Sequence, residues 1–344
     1  MGAVALPEPR TLPDPRTLLR DIAAYARPRT SRSLVELALT AIPFALFLAL
    51  MWVGIGAGYW IALLLAVPAG VMLVRLFMIQ HDCGHGSFFR RRAANDWLGR
   101  VLGVLTVTPY DYFKRSHALH HARTGNLDHR GIGDVATLTV REYQARSRWG
   151  RFVYRVYRNP VVLFGIGPAY LFFLQYRLPV GLMRGGWRPW MSTMATNAAL
   201  ALFIGAAIWW LGALQFLLVY VPVVIVASTI GVWLFYVQHQ FEGTQWDRDE
   251  DWSFHEAALH GSSHYDLPGV LRWLTANIGI HHIHHLSSRI PFYRLGKVLR
   301  DRPELRAVSR LTLRQSLRTV TLALWDEEQR RLVTFRQAKA LRPL

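Results

Sequence analysis

Long apolar stretches alternate along this chain with polar, arginine-rich sequence. Four of these stretches are close to the roughly 20 residues that an α-helix needs to cross a bilayer, and they fall into two pairs. The pattern predicts an integral membrane protein with four spanning helices. The predicted spans are 34–53, 59–80, 197–220 and 221–237.

Two further apolar segments, 97–110 and 160–176, are harder to place. Gly165, Gly167 and Pro168 interrupt the second segment and weaken a straight spanning helix there. If that segment alone crossed the membrane, the polar sequences before and after it would lie on opposite sides. We therefore expect both segments to lie in the membrane interface, or to enter the membrane and return.

Basic residues set the orientation of the spans. Arginines concentrate before the first span and after the second, whereas the connections 54–60 and 209–215 carry no charge. Positive-inside bias then places both termini in the cytoplasm and predicts a multi-pass protein of the inner (plasma) membrane. The first 33 residues lack the apolar stretch of a cleavable signal peptide. The arginines are Arg10, Arg16, Arg20, Arg27, Arg29, Arg32, Arg90, Arg91 and Arg92.

The expected fold class is an all-α integral membrane protein with four transmembrane helices, membrane-embedded or interfacial helices, and a cytoplasmic, histidine-rich helical cap. We expect residues 1–344 to form a single domain, in which 294–344 form helices on the cytoplasmic face. Its expected parts are a cytoplasmic N-terminal segment (1–33), a first transmembrane pair (34–80), a cytoplasmic or interfacial region (81–193), a second pair (194–238) and a cytoplasmic cap (239–344).

The formal net charge is +18, although 52% of the residues are hydrophobic. Such basicity can indicate nucleic-acid binding. Arginines at a cytoplasmic membrane surface, however, contact anionic lipid headgroups, which explains the charge without nucleic acid. The same surface leaves open the docking of an acidic redox protein. The single cysteine, Cys83, excludes an intramolecular disulfide.

Eight of the 14 histidines stand in three groups with helical spacing. Residues three and four positions apart share one face of a helix. Each group can therefore direct its imidazoles into one volume, at the cytoplasmic ends of the spans or just beyond. The groups are His81 with His85, then His117 with His120 and His121, and finally His281 with His284 and His285.

Neutral imidazole binds iron, copper, zinc or nickel well, and magnesium or calcium poorly. Together with His239, these histidines exceed the four protein ligands that a zinc site usually needs. A pair of redox-capable ions fits the number better. Two other interpretations stay open. A metal transporter would need ligands inside the spans, and a non-catalytic scaffold would hold one structural zinc.

Three patterns, HDCGH, HALHH and HHIHH, resemble the histidine boxes of the integral-membrane fatty acid desaturases. More narrowly, HDCGHGSF, YVQHQFEGTQW, GSSHYDLP and NIGIHHIHHLSSRIPFYRL resemble the Δ12/omega-type acyl-lipid desaturases of bacteria and plastids. The similarity runs from about residue 75 to residue 296.

This resemblance implies an O2-dependent enzyme that introduces a cis double bond into a fatty acyl chain taken from the lipid bilayer. It also implies a non-haem centre of two Fe ions and a separate electron carrier, ferredoxin-like or cytochrome b5-like. A fatty acyl hydroxylase on the same scaffold is the alternative. The implied metal ligands and catalytic residues are His81, His85, His117, His120, His121, His239, His281, His284 and His285.

For one iron-coordinating residue of some relatives, the counterpart in this sequence is not settled. In some relatives an asparagine reaches one iron through water, but this chain has Phe235 one turn before His239. Asn277 is a conceivable stand-in.

Other residues near the boxes are assigned roles by their chemistry. Carboxylates are expected to accept hydrogen bonds from ligand N–H groups, and aromatic side chains of the last span to line an apolar tunnel. The carboxylates are Asp82, Asp128 and Asp134, and the aromatics are Trp233, Phe235 and Tyr236. Five histidines are not expected to bind metal. His129, His255 and His260 are expected to be structural, and His282 to be exposed or to support a ligand; His264 stands where the family often carries tyrosine, which argues against an essential metal role.

Overall fold

The computed structural model describes residues 14–340, and helices dominate them. Residues 1–13, which include Arg10, and residues 341–344 lie outside the described part. Within it, four helical segments are long and apolar enough to cross a membrane. This confirms the predicted all-α membrane fold. The four segments are Thr30–Gly56, Trp60–His85, Trp187–Leu211 and Ala213–His239.

The described part contains 16 α-helices, most of them short and outside the spans. Additional 3-10 turns cover Trp60–Leu65, Gln175–Arg177 and Pro303–Arg306, and a π-helical turn covers Val162–Ile166. The helices are α1 (Pro15–Ala23), α2 (Thr30–Gly56), α3 (Ala66–His85), α4 (Arg92–Leu105), α5 (Tyr110–Arg123), α6 (Val140–Ala145), α7 (Arg148–Tyr157), α8 (Gly167–Phe173), α9 (Trp187–Leu211), α10 (Ala213–His239), α11 (Phe254–His260), α12 (Gly269–Leu274), α13 (His281–Leu286), α14 (Phe292–Asp301), α15 (Leu313–Thr319) and α16 (Phe335–Ala340).

Five short strands accompany the helices. In one sheet β1 pairs parallel with β4, and β4 pairs antiparallel with β5; in the other, β2 and β3 are parallel. Three of these strands lie in the C-terminal tail, which was expected to be helical throughout, so that expectation is wrong for them. The strands are β1 (Leu138–Thr139), β2 (His264–Asp266), β3 (Arg310–Thr312), β4 (Leu322–Asp326) and β5 (Arg331–Thr334).

The predicted boundary between the third and fourth spans, at 220/221, is also wrong. Helix α9 ends at Leu211 and α10 begins at Ala213, with Gly212 alone between them. Gly212 has φ 82°, a conformation that is unfavourable for residues with a Cβ atom. The uncharged connection predicted at 209–215 does contain this turn, although the sequence stays apolar on both sides of it.

Helix α3 is the centre of the bundle. It packs against α2, α4 and α10, and its Gly70 lies so close to Val226 that an added Cβ would come within 2.6 Å of that side chain. Helix α9 lies at the periphery, and Trp209 and Trp210 near its C-terminal end are 85% and 81% exposed. Aromatic side chains at span ends are typical of membrane interfaces.

A buried ion pair joins the first two spans. Nη2 of Arg75 lies 2.8 Å from Oε2 of Glu36, and the side chains are 1% and 2% exposed. Arg75 also donates to the carbonyl oxygen of Trp273 in α12, and its guanidinium lies 4.1 Å from the centre of the Trp273 ring. The pair therefore ties the spans to the segment that carries the third histidine group.

The two short apolar segments form helices below spanning length. Helices α4 and α5 form a hairpin whose turn, Thr106 to Thr108, is buried. Gln80 of α3 holds this turn, because its amide nitrogen lies 3.3 Å from the carbonyl oxygen of Thr108. The 160–176 segment consists of the π-helical turn and α8.

Candidate metal centre

Four helices bring the nine predicted histidines to one place. His81 and His85 lie in the last turn of α3, which ends because Gly86 adopts a left-handed conformation with φ 68°. The second box lies on α5, the third on α13, and His239 is the last residue of α10. All are buried or half-buried.

The imidazole nitrogens form two groups, and within each group the potential ligand atoms lie within 4.8 Å of one another. The division crosses the sequence boxes, because α5 and α13 each contribute to both groups. The first nitrogen group contains His81, His85, His117, His121 and His284, and the second contains His120, His239, His281 and His285.

Neighbouring nitrogens have the spacing of ligands around one ion. In the second nitrogen group, Nε2 of His239 lies 3.0 Å from Nε2 of His281, which lies 3.0 Å from Nε2 of His285. In the first group, Nε2 of His117 lies 2.9 Å from that of His81 and 3.0 Å from that of His121. Nitrogens about 2.1 Å from a common divalent ion, at bond angles of 90° to 110°, lie about 3 to 3.4 Å apart.

Hydrogen bonds on the other side of two rings determine where their protons lie. Nδ1 of His120 lies 2.6 Å from Oδ1 of Asp134, and Nδ1 of His239 lies 3.2 Å from the carbonyl oxygen of Gly261. Both oxygens are acceptors, so both Nδ1 atoms donate, which leaves the lone pair of a neutral ring on Nε2. Those Nε2 atoms lie 3.2 Å apart. Two lone pairs at this distance need a cation between them, so these residues fit a metal ion.

Burial favours the neutral form of the imidazoles outside the spans. It lowers the pKa of His284 and His285 well below the usual value, and neighbouring imidazoles lower the pKa further. The same causes act on the pKa of His117 and that of His121. Neutral imidazole is the form that binds a metal.

The five other predicted histidines lie outside both groups. His129 is exposed beside Asp249, with 3.3 Å between Nε2 and Oδ2. His282 is fully buried, contrary to the option that it is exposed, and its Nε2 lies 3.0 Å from the carbonyl oxygen of Leu305. The others, His255, His260 and His264, belong to neither nitrogen group.

Two of the three predicted carboxylates contact histidines of these groups. Asp134 contacts His120, and Oδ1 of Asp82 lies 3.3 Å from Nδ1 of His81. Asp128 does not have this role, because its Oδ1 accepts from Arg248 at 2.6 Å. The carbonyl oxygen of Gly261 was not foreseen, since backbone acceptors leave no signature in a sequence.

The open ligand position is apolar in the structure. The Phe235 ring lies 5.1 Å from the ring of His120 and 5.2 Å from that of His239, centre to centre. Asn277 is engaged elsewhere, because its amide donates to the carbonyl oxygen of Phe292 at 3.1 Å.

A largely apolar cavity of about 550 Å³ reaches both nitrogen groups. Its volume falls in the range of small-molecule sites, about 300 to 1,000 Å³. It extends along α3 and α10, and histidines from both groups line it. These histidines are His81, His117 and His281, and the apolar lining residues include Leu73, Phe77, Val224 and Leu234.

The cavity corrects part of the predicted lining. Phe235 lines it, but Trp233 and Tyr236 do not, and Tyr236 instead donates a hydrogen bond to the carbonyl oxygen of Thr319 at 2.8 Å. Phe77 and Leu73 lie four and eight residues before His81, on the same helical face. That spacing is the sequence signal that could have identified them.

Comparison with known proteins gives a consistent result. The sequence profile of the family described as fatty acid desaturase matches residues 58–316. A "Fatty acid desaturase" of Bacillus subtilis (strain 168) is 43% identical over 324 residues, which cover 94% of this chain and 92% of that protein.

More distant relatives have more specific names. An "sn-1 acyl-lipid omega-3 desaturase (ferredoxin)" of Synechocystis is 31% identical, and the match covers 66% of this chain and 63% of that protein. An "sn-1 oleoyl-lipid 12-desaturase" of the same organism is 28% identical, with 66% of this chain and 64% of that protein covered.

Proposed function

The chain belongs to the fatty acid desaturase family, and we propose that it uses O2 to introduce a cis double bond into the acyl chain of a membrane lipid. As a family member it is an oxidoreductase of the membrane. We further propose that the nine histidines of the two nitrogen groups hold two Fe ions. The remaining histidines take no part in this centre.

One observation carries the proposal: a single, largely apolar cavity is lined by histidines of both nitrogen groups. His81, His117 and His281 belong to its lining, together with apolar side chains such as Phe77 and Val224. An alkyl chain is the ligand that such a lining favours. Desaturation needs two metal ions next to a methylene group of an acyl chain that is bound in a fixed position.

The two irons, when bound, supply the oxidising power for removing hydrogen from an unactivated methylene, which no side chain possesses. The protein contributes position and orientation. The acyl chain is held against the nitrogen groups by Leu73 and Phe77 on α3 and by Leu234 and Phe235 on α10. Asp134 fixes the ring of His120, and the carbonyl oxygen of Gly261 fixes that of His239. Small displacements of a bound chain change rates by as much as a hundredfold.

We propose that the lipid reaches the cavity sideways from the bilayer. Ile166 and Tyr170 line the cavity at the π-helical turn and α8, and they are 62% and 54% exposed. Large exposed apolar side chains at a cavity edge fit contact with lipid. The headgroup then stays at the interface while the tail enters.

The arginine distribution supports a cytoplasmic position for the metal centre in the inner, or plasma, membrane. Arg90, Arg91 and Arg92 directly follow the span that carries His81 and His85, whereas the turns at the other ends of the spans are uncharged. Both termini then lie in the cytoplasm. A separate carrier, ferredoxin-like or cytochrome b5-like, would supply electrons from that side.

The finer proposal is Δ12/omega-type activity on acyl lipids. It is supported by the names of the two Synechocystis relatives, which are distant. The more similar Bacillus relative carries no position in its name. Localising the double bond therefore decides this point.

The test is expression in a host whose lipids are saturated and monounsaturated, with ferredoxin and cytochrome b5 systems supplied. We expect fatty-acid profiling to show a new double bond, on the methyl side of an existing one for the finer proposal. His120→Ala should abolish it, and His255→Ala, outside both nitrogen groups, should leave it. No new double bond with either carrier, or a hydroxylated chain alone, would overturn the proposal.

A further inference from the structure

A second, much smaller opening reaches the metal centre. It is a cleft of about 20 Å³ that touches His120 and His239 of the second nitrogen group. A polar space needs about 10 to 15 Å³ to hold one water molecule. The cleft is thus wide enough for single waters and too narrow for an alkyl chain.

Polar and charged side chains contribute to the lining of the cleft. Arg123 and Arg130 are half-buried there, together with the buried Asn126 and Trp246. Arg130 is held by Glu142, with 2.5 Å between Nη2 and Oε1. Within residues 14–340, the side chain of Arg123 makes no hydrogen bond or ion pair. These side chains can donate hydrogen bonds to water in the cleft.

The cleft shares part of its lining with the large apolar cavity proposed for the acyl chain, here called the chain cavity. Asp134, Val135 and Phe235 line both spaces. The Phe235 ring lies 5.1 Å from the ring of His120, centre to centre. His120 and His239 line the cleft but not the larger cavity, so water in the cleft reaches these two histidines through a separate opening.

We propose that this cleft is the path by which water leaves the metal centre and solvent protons reach it, separate from the path of the acyl chain. The inference rests on the proposed function. Formation of one double bond reduces one O2 to two water molecules. Two electrons and two protons come from the two C–H bonds, two electrons come from the carrier, and two protons come from solvent. With an acyl chain in the larger cavity, the cleft offers these waters a route from the histidines.

The experiment is X-ray radiolytic labelling of the iron-loaded full-length chain, in which hydroxyl radicals modify side chains that touch water. Two tryptophans form a matched pair. Trp246 lines the cleft and is 8% exposed, whereas Trp325, stacked on it at 5.7 Å, is 1% exposed and lines neither space. We expect Trp246 to be labelled several-fold more than Trp325. After rapid mixing with H218O, the label on Trp246 should carry 18O, because the cleft exchanges with bulk water.

Substitutions in the lining of the cleft test whether labelling of Trp246 depends on water in the cleft. Val135→Phe should reduce labelling of Trp246 several-fold at unchanged iron content, because the larger side chain fills the opening. The matched control is Val180→Phe, at a residue that lines only the chain cavity; it should leave the label on Trp246 unchanged. Arg123→Ala should increase the label on Trp246, because it removes a half-buried side chain that lines the cleft. This variant tests the inference even if Val135→Phe does not fold.

Equal labelling of Trp246 and Trp325, or an equal effect of the two valine variants, would overturn the inference. These readouts do not need desaturation. A chain that makes no double bond but labels Trp246 would refute the proposed function and leave the water path intact. A protein that forms the double bond but leaves Trp246 unlabelled would support the proposed function and refute the water path.

Discussion

Oδ1 of Asp134 lies 2.6 Å from Nδ1 of His120, on the side of the ring that faces away from the other imidazoles. This contact fixes the ring and its tautomer. Removing such a support typically weakens metal binding about 10- to 100-fold. We expect Asp134→Asn to lower iron affinity by about that factor, measured by competition with a chelator.

The matched control is Asp128→Asn, because Asp128 accepts from Arg248 and does not contact a histidine of either nitrogen group. It should leave iron affinity unchanged. Equal losses in the two variants would show that a general loss of acidic charge, and not orientation of His120, controls affinity.

The chain cavity gives a second prediction, at Gly231 on α10. Gly231 lines the cavity, and a Cβ atom added there would meet no atom within 4 Å. A larger side chain would therefore project into the space for the substrate without displacing protein. We expect Gly231→Leu to abolish or strongly reduce desaturation while iron content stays at the wild-type value.

Gly205 on α9 serves as the control, since a Cβ atom added there would also meet no atom within 4 Å and this glycine does not line the cavity. Gly205→Leu should retain activity. Wild-type activity in Gly231→Leu would place the acyl chain elsewhere.

The buried ion pair between Glu36 and Arg75 gives a third prediction. Breaking a buried pair leaves an uncompensated charge and typically costs about 3 to 5 kcal/mol. We expect Glu36→Gln to lower the free energy of unfolding, measured by denaturant titration in detergent, by about that amount. Arg32 contacts the same carboxylate but is 52% exposed, and exposed pairs contribute about 0 to 1 kcal/mol. A loss in Arg32→Gln as large as in Glu36→Gln would contradict the assignment.

His282 gives a prediction about pH. Burial lowers the pKa of His282 to about 3, and the nearby His264 acts on it in the same direction. The unfolded chain takes up this proton near pH 6.5 and the folded chain does not. The contribution of His282 to stability is therefore complete above about pH 6.5 and is lost as the pH falls below it, by about 1.4 kcal/mol per pH unit.

The measurement is the free energy of unfolding between pH 7.5 and pH 5 in wild type and in His282→Gln. We expect a shallower pH dependence in the variant, because its amide can still donate to the Leu305 carbonyl oxygen but does not titrate. Parallel curves would show that His282 does not titrate on unfolding.

The features that the sequence revealed are those with a local signal. Four apolar runs gave four spans, and i, i+3 and i, i+4 spacing identified the histidines that the structure brings together. The features that it concealed depend on tertiary contacts. Nothing local distinguishes His120, in the second nitrogen group, from His121 in the first, because the division depends on how α5 packs against α10 and α13.

Other differences have equally physical causes. The turn at Gly212 lies inside the connection predicted at 209–215, but the continuous apolar sequence around it placed the ends of the two flanking spans wrongly. Strands of two to five residues, such as Arg310–Thr312, form only because a partner such as His264–Asp266 lies beside them. Tyr236 looked like a tunnel residue, but its hydroxyl is bound on the opposite side by backbone carbonyls.

Metal analysis of the purified full-length protein tests the central claim most directly. The account predicts about two iron atoms per chain, since two groups of neutral imidazoles favour redox-active first-row ions. Substitution of His120 should lower that number. One zinc per chain without iron would contradict the account.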